Sequence, residues 1–261
     1  MTQMIITKDN LKILIESLIG DMNVFAPKKA DNNTILYSVL KSFDEYAQNV
    51  LLTNTSAKER VYLQSEKMFS YSKQKDTVDL KEDLDAKENA IFGCRPCDAR
   101  GFDVIDKIFN WNGVEDAGYT AKRKNTTIIS VSCKKPETTC FCTSFKDGSP
   151  VSEKGSDILL TFLEDRYLVD VVSERGRKLV AKYASVFSVA SRSDAEAKEE
   201  FKKAAEIIIT RRINLALIKT KLDSGFDSPY WDEAHIACVK CGACTYAVSY
   251  THLTLPTILR V

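Results

Sequence analysis

Cysteine is the residue type that most constrains what this chain can form. The sequence contains eight cysteines but only two histidines, so any metal site in it would be built almost entirely from sulfur ligands. All-thiolate ligand sets are typical of iron–sulfur clusters and of zinc. The N-terminus lacks the pattern of a secretory signal, and disulfides are rare in a reducing cytoplasm. We therefore expect a cytoplasmic protein whose clustered thiols hold metal.

The composition is that of an ordinary globular protein. The chain has 261 residues, of which 44% are hydrophobic, which suits one large domain or two small ones. Its 37 basic residues nearly balance 36 acidic ones. This balance argues against nucleic acid as the main partner, because phosphate binding favours a basic surplus. No apolar run approaches the roughly 18 residues that a membrane-spanning helix needs, so we expect no membrane span.

The clearest structural signal is a strand–helix–strand pattern. Residues 89–93 form a short apolar run. Residues 98–110 have apolar side chains near helical spacing, and Asp98 is a candidate cap for this helix. Residues 126–132 are rich in β-branched side chains, which are typical of strands. This order predicts two parallel strands joined by a right-handed crossover helix. Both strands lead into cysteines. Because the carboxyl ends of parallel strands share one edge of a sheet, we expect cysteines distant in sequence to meet there.

Further elements are predicted around this unit. Helices are expected at 8–19, with Thr7 as the cap, and at 174–184, and one long uninterrupted helix is expected at 194–223. Strands are expected at 35–40, 157–165 and 166–173. The charged residues 73–88 are expected to form an exposed connection. The predicted fold class is α/β, with a mixed or parallel sheet and flanking helices, followed by the long helix and a truncated ferredoxin-like [4Fe–4S] segment. We divide the chain into an α/β domain at 1–190 and a second part at 191–246.

A C-x2-C-x2-C run near the C-terminus is the most specific metal signal. Cys238, Cys241 and Cys244 have the spacing that opens the bacterial ferredoxin motif, in which closely spaced sulfurs face one iron–sulfur cubane. A zinc site would usually have two separated cysteine pairs or histidines downstream. A zinc-stabilised binding module without redox activity is the alternative.

The residues after this run break the motif. Its fourth cysteine is expected at position 248, where the chain has Val248, and from Thr245 to Val261 only Arg260 is charged. This ending resembles a translated sequencing-adaptor read-through. We therefore expect residues 247–261 to be a non-native tail that packs poorly, and the natural protein to continue with another cysteine motif.

A second group of cysteines lies in the middle of the chain. Cys97, Cys133, Cys140 and Cys142 provide four thiolates, enough for one cluster, with Cys94 as a spare or substitute. Two other interpretations stay open: the thiols are buried small hydrophobes, or Cys94 and Cys97 form a dithiol redox pair.

Three cysteine-bearing segments resemble a known family. They are FGCRPCDARGFDVIDKIF at 92–109, GYTAKRKNTTIISVSCKKPETTCFC at 118–142 and SPYWDEAHIACVKCGACTY at 228–246. They look like the iron–sulfur beta subunit of cytoplasmic sulfhydrogenases, and the A subunit of anaerobic sulfite reductase shares the pattern. In this resemblance the family's Arg-Pro-Cys-Asp motif falls on Arg95–Asp98, its Cys-Phe-Cys motif on Cys140–Cys142, and its first ferredoxin motif on Cys238, Cys241 and Cys244.

The resemblance implies an electron-transfer subunit with two ferredoxin-type [4Fe–4S] clusters near its C-terminus. Such a subunit passes electrons between a flavin- or NAD(P)-binding subunit and a catalytic subunit of an anaerobic oxidoreductase. No nucleophile–base pair is visible in the sequence, so we expect no catalytic residue of its own.

Overall fold

The structure, a computed structural model, describes residues 3–30, 34–50, 52–63, 65–75, 77–82 and 87–242. Within these ranges the strands are β1 (Met4–Thr7), β2 (Asn23–Lys29), β3 (Ile35–Val39), β4 (Phe69–Gln74), β5 (Thr77–Glu82), β6 (Asn89–Cys94), β7 (Asn110–Trp111), β8 (Val114–Glu115), β9 (Thr126–Val131), β10 (Ile158–Leu163), β11 (Arg166–Val171) and β12 (Ser188–Val189). The α-helices are α1 (Lys8–Asp21), α2 (Pro96–Phe109), α3 (Ala117–Lys124), α4 (Glu174–Lys182), α5 (Arg192–Ile208), α6 (Ile218–Ser224) and α7 (Tyr230–Ala234).

Eight of the strands form one mixed sheet in the order β12-β1-β11-β10-β9-β6-β2-β3. The four central strands, β10, β9, β6 and β2, run parallel, and the flanking strands pair antiparallel. This arrangement confirms the predicted α/β class with a mixed sheet and flanking helices. The ferredoxin-like segment is not confirmed, because its motif continues beyond the described residues.

The predicted strand–helix–strand unit is present and its two strands are direct neighbours. Ile91 of β6 pairs with Ile128 of β9 in parallel register, with α2 as the crossover. The predicted cap at Asp98 is wrong. The helix begins at Pro96, after Arg95 as N-cap, because proline has a fixed helical φ and its missing N–H needs no partner in the first turn. Cys97 consequently lies in the first turn of α2.

Most of the other predicted elements are confirmed. Helix α1 follows Thr7, whose hydroxyl oxygen accepts a hydrogen bond from the Asn10 amide at 3.2 Å, and β3, the β10–β11 pair and α4 form where the sequence predicts them. The connection at 73–88 differs in part. Residues 73–74 belong to β4 and residues 77–82 to β5, and these two strands pair as a hairpin. The described side chains of the hairpin are exposed, as the charged sequence predicts.

Helices cover both faces of the sheet and produce two hydrophobic clusters. The first cluster includes Phe92 and Ile129 and lies under α1 and α4. The second includes Ile91 and Ile128, which alternate with the first pair along the same strands, and lies under α2 and α3. Cys94 belongs to the second cluster and is fully buried, and this burial raises the pKa of its thiol. Cys94 is therefore a core residue in this structure.

The single long helix predicted at 194–223 is wrong. Helix α5 ends at Ile208, and α6 begins only after a 3-10 turn at Leu215–Leu217. Ile209 is buried, with 2% of its surface exposed, and the Ile213 amide donates to the Ser144 hydroxyl at 2.9 Å. The Arg212 guanidinium donates to the Ile209 carbonyl at 2.7 Å and to the Thr143 hydroxyl. These contacts with a distant loop replace intrahelical hydrogen bonds and end the helix.

The start of α5 makes the stability of the fold acid-sensitive. The Asp194 carboxylate accepts a hydrogen bond from the Ser191 amide at 2.8 Å and from Arg166 at 2.9 Å. Hydrogen bonds from Ser191, followed by those from Arg166, hold the pKa of Asp194 below its usual value of 3.8. A lowered folded-state pKa stabilises the protein above pH 3.8, and this contribution is lost as the pH falls through the folded-state pKa.

We expect Asp194→Asn to lower the free energy of unfolding by about 1–2 kcal/mol near neutral pH. The substitution should also flatten the decline in stability below pH 3.8. Urea unfolding at a series of pH values measures both effects. Asp165→Asn is the matched control, because Asp165 also pairs with Arg166 but its side chain is 75% exposed. An equal flattening in the control would contradict the assignment to Asp194.

Candidate metal centre

Four of the predicted metal ligands line one cavity at the carboxyl edge of the parallel strands. Cys97, Cys133, Cys140 and Cys142 border a space of about 350 Å³. Cys97 enters it from the first turn of α2, and Cys133 follows the end of β9. The other two cysteines come from the loop that leads from β9 to β10. The parallel pairing of β6 and β9 thus brings together cysteines that are distant in sequence, as predicted.

Backbone hydrogen bonds shape the loop that carries Cys140 and Cys142. The Cys140 amide donates to the Glu137 carbonyl at 2.9 Å, and the Glu137 amide donates to the Cys140 Sγ atom at 3.3 Å. This contact ties the Cys140 sulfur to the turn at Glu137. The loop then returns to the sheet, where the Cys133 amide donates to the Pro150 carbonyl at 3.0 Å.

Gly148 allows this loop to fold closely upon itself. A Cβ atom at this position would lie 2.0 Å from the Cys142 carbonyl oxygen, a distance that no side chain tolerates. Gly148 also lines the cavity beside Cys142. The glycine therefore sets how near the second half of the loop comes to the cysteine backbone.

Apolar side chains and the end of α5 complete the walls of the cavity. The apolar wall consists of Pro96, Val104, Pro136, Phe141, Phe145, Pro150 and Ile209. Helix α5 is joined to the loop by a hydrogen bond of 2.7 Å from the Ser149 hydroxyl to the Glu206 carboxylate. The sequence contains no metal-binding pattern that points to three of the lining residues, Phe145, Gly148 and Ile209. They reach the site through long-range packing, although the Asp-Gly and Ser-Pro pairs near Gly148 indicate a turn.

The surrounding protein raises the pKa of three of the four thiols. Burial raises the pKa of Cys133 to about 12 and also raises the pKa of Cys142. Cys97 is partly exposed, but the protein atoms packed around its thiol raise its pKa well above the ordinary value, and Asp98 and the three other thiols raise it further. Arg95 acts in the opposite direction on Cys133. A cation in the cavity would remove this penalty, because it stabilises several neighbouring thiolates at once.

The chemical type of the side chains suits an iron–sulfur cluster, because four thiols border one apolar space. Within the described ranges, however, no three His, Cys, Asp or Glu side chains are already gathered around a point where a metal ion could bind. Binding would therefore require the thiols to turn toward one another. The roles of Cys97, Cys133, Cys140 and Cys142 as ligands stay a prediction.

The C-terminal motif is described only in part. Cys238 and Cys241 are exposed, and the Cys238 amide donates to the His235 carbonyl at 2.8 Å just after α7. Cys244 and the tail at 247–261 lie outside the described residues. The ligand roles of all three cysteines in this motif therefore stay predictions too.

None of the helices in the described ranges combines the length and apolarity that crossing a membrane requires.

Comparison with known proteins gives one informative relationship. No family model matches the chain. The sulfhydrogenase 2 subunit beta of Pyrococcus furiosus is 29% identical over 222 residues, which cover 85% of this chain and 64% of that subunit. The chain thus spans less than two thirds of the length of this relative. The similarity extends over most of this chain and supports its resemblance to the sulfhydrogenase beta subunits.

Proposed function

We propose that this chain is an iron–sulfur electron-transfer subunit of an anaerobic multisubunit oxidoreductase of the sulfhydrogenase or sulfite reductase type. The observation that carries the proposal is the convergence of four cysteines on one apolar cavity at the edge of the sheet. The similarity to a sulfhydrogenase beta subunit supports it. In this proposal the chain passes electrons between a flavin- or NAD(P)-binding subunit and a catalytic subunit.

Each part of the site has a role in this proposal. Cys97, Cys133, Cys140 and Cys142 hold one [4Fe–4S] cluster, and Cys238, Cys241 and Cys244 begin the ligand set of a second. A bound cluster supplies one-electron transfer, at a potential that depends on hydrogen bonds to sulfur and on exposure to solvent. The Glu137 amide already donates to a cysteine sulfur, and the wall around the ligands is largely apolar.

Electron transfer suits the cavity better than catalysis does. Among the described residues that line it, none is a histidine, aspartate or glutamate, which are the usual general acids and bases. Sulfur ligands alone do not distinguish iron from zinc. The metal content therefore decides between the electron-transfer subunit and the zinc-stabilised binding module.

We expect the double variant Cys140→Ser/Cys142→Ser, reconstituted anaerobically, to lose about four iron and four sulfide ions per chain relative to the wild type. Serine keeps the size of each side chain but removes the soft thiolate that iron prefers. Iron, sulfide and zinc are measured on the same samples, together with visible absorption. Cys94→Ala is the matched control, because Cys94 is buried in the second hydrophobic cluster, and its iron content should equal that of the wild type.

Two results would contradict the proposal. Unchanged iron content in the double variant would show that the loop cysteines hold no cluster. A colourless wild-type protein that contains zinc and no acid-labile sulfide would establish the zinc-stabilised module instead.

A further inference from the structure

A second cavity lies at the same edge of the sheet but on its opposite face. It has a volume of about 360 Å³ and borders the ends of β9 and β10 and the start of α1. Its aromatic residues Tyr46, Phe162 and Tyr167 belong to the first hydrophobic cluster or pack against it. Arg95 and Ser132 line this cavity, and each is close in sequence to a cysteine of the other one. The two cavities are therefore separated by only the ends of β6 and β9.

The second cavity concentrates positive charge. Four basic residues line it: Lys8, Arg95, Lys134 and Lys135. None of its described lining residues is an aspartate or glutamate. No salt bridge joins any of these four side chains to a residue in the described part of the chain. The chain as a whole is nearly neutral. Four cations gathered without a counter-ion repel one another, and a bound anion would remove that repulsion.

Local contacts direct these cations toward the shared space. The Lys134 Nζ atom lies 4.3 Å from the centroid of the Phe162 ring, and the Lys8 Nζ atom lies 5.4 Å from it. The negative face of an aromatic ring attracts ammonium groups, so Phe162 draws both lysines to one place. Arg95 donates one hydrogen bond, to the Ser132 carbonyl at 3.1 Å. A guanidinium has five N–H donors, which leaves others for a ligand.

A neutral donor accompanies the four charges. The Tyr46 side chain borders the cavity. Burial raises the pKa of Tyr46, so the hydroxyl keeps its proton and can donate to an anion. Tyrosine hydroxyls that are partly buried normally find a hydrogen-bond partner.

We propose that this cavity binds a small phosphate-bearing anion. Four cations favour a ligand with more than one negative charge, and the planar guanidinium of Arg95 matches the geometry of phosphate oxygens. The volume lies within the range of small-molecule sites, about 300–1,000 Å³, and exceeds what one phosphate group fills. An organic phosphate or pyrophosphate therefore suits the site better than inorganic phosphate. None of the described residues that line this cavity is a proposed cluster ligand.

Calorimetric titration of the anaerobically purified full chain with inorganic phosphate, pyrophosphate and ADP tests this inference. We expect one molecule of pyrophosphate or ADP to bind per chain, and binding to weaken as salt is raised. The double variant Lys134→Gln/Lys135→Gln should bind at least about tenfold more weakly. Both lysines are exposed, so the variant should fold, which circular dichroism verifies.

Lys202→Gln/Lys203→Gln is the matched control, because it removes the same two adjacent charges from α5, away from the cavity. This control should bind as the wild type does. Tighter binding of ADP than of pyrophosphate would identify an organic phosphate as the ligand, and the reverse would identify an inorganic polyphosphate. Equal weakening in both double variants, or no binding of any of the three probes to the wild type, would overturn the inference.

Discussion

Lys198→Met is expected to lower the free energy of unfolding by about 3–5 kcal/mol, because it leaves a buried carboxylate without its cation. The Lys198 Nζ atom lies 2.8 Å from the Asp170 carboxylate, and the two side chains are only 11% and 6% exposed. Glu153 also pairs with Lys198 at 2.8 Å. After the substitution, the Asp170 carboxylate keeps, among the described side chains, the hydrogen bond from the Gln3 side-chain amide at 2.9 Å. Urea unfolding measures the loss.

A double variant separates the charge effect from lost packing. Lys198→Met/Asp170→Asn removes both charges and should recover part of the stability, since a neutral buried amide costs less than an unpaired carboxylate. Arg192→Met on the same helix is the control. Its ion pair with Glu196 is 93% and 65% exposed, so the change should be within about 0.5 kcal/mol. Purely additive effects of the two single substitutions would show that the pair is not coupled.

The second large effect is expected at Gly155, where the chain passes against the beginning of α2. Gly155 has a φ of +79°, and a Cβ atom there would lie 2.1 Å from the Ala99 carbonyl oxygen. Gly155→Ala combines a backbone conformation that alanine rarely adopts with a clash against backbone, and should destabilise the protein by roughly 3 kcal/mol or more. The clash displaces the turn that holds Cys97, so iron content after reconstitution should fall as well.

Gly113→Ala isolates the backbone contribution. Gly113 has a φ of +77°, but no atom lies within 4 Å of its Cβ position. This variant should lose only about 1 kcal/mol and keep the iron content of the wild type. If both glycine variants lost equal stability, the close approach to Ala99 would not contribute.

Elements of the fold with a local cause were predictable from sequence. Strands β6 and β9 are short runs of buried residues, and the helical segment that follows β6 makes parallel pairing the expected arrangement. The end of α5 had no local signal, because residues 209–214 contain neither Gly nor Pro. It is caused by hydrogen bonds from Arg212 and Ile213 to Thr143 and Ser144, which lie about 70 positions earlier in the chain.

The candidate metal centre was likewise predictable only in part. The convergence of Cys97 and Cys133 follows from parallel topology, so the sequence predicts it. Sequence spacing does not predict that Gly148 packs on the Cys142 backbone or that Ile209 closes the cavity. The basic cavity was equally hidden, because Lys8, Arg95 and Lys134 are far apart in a chain whose total charge is balanced.

The position of β1 in the sheet has a consequence for biosynthesis. Within the described sheet, β1 pairs with β11 and β12, and β11 is synthesised about 160 residues after β1. At typical translation rates this delay is roughly 10–30 s. Throughout that time the edges of β1 lack the strands that flank β1 in the finished sheet, whereas α1 can already pack against β2 and β6. The parallel strands β2, β6 and β9 can pair earlier, whereas β1 joins the sheet only after β11 has emerged.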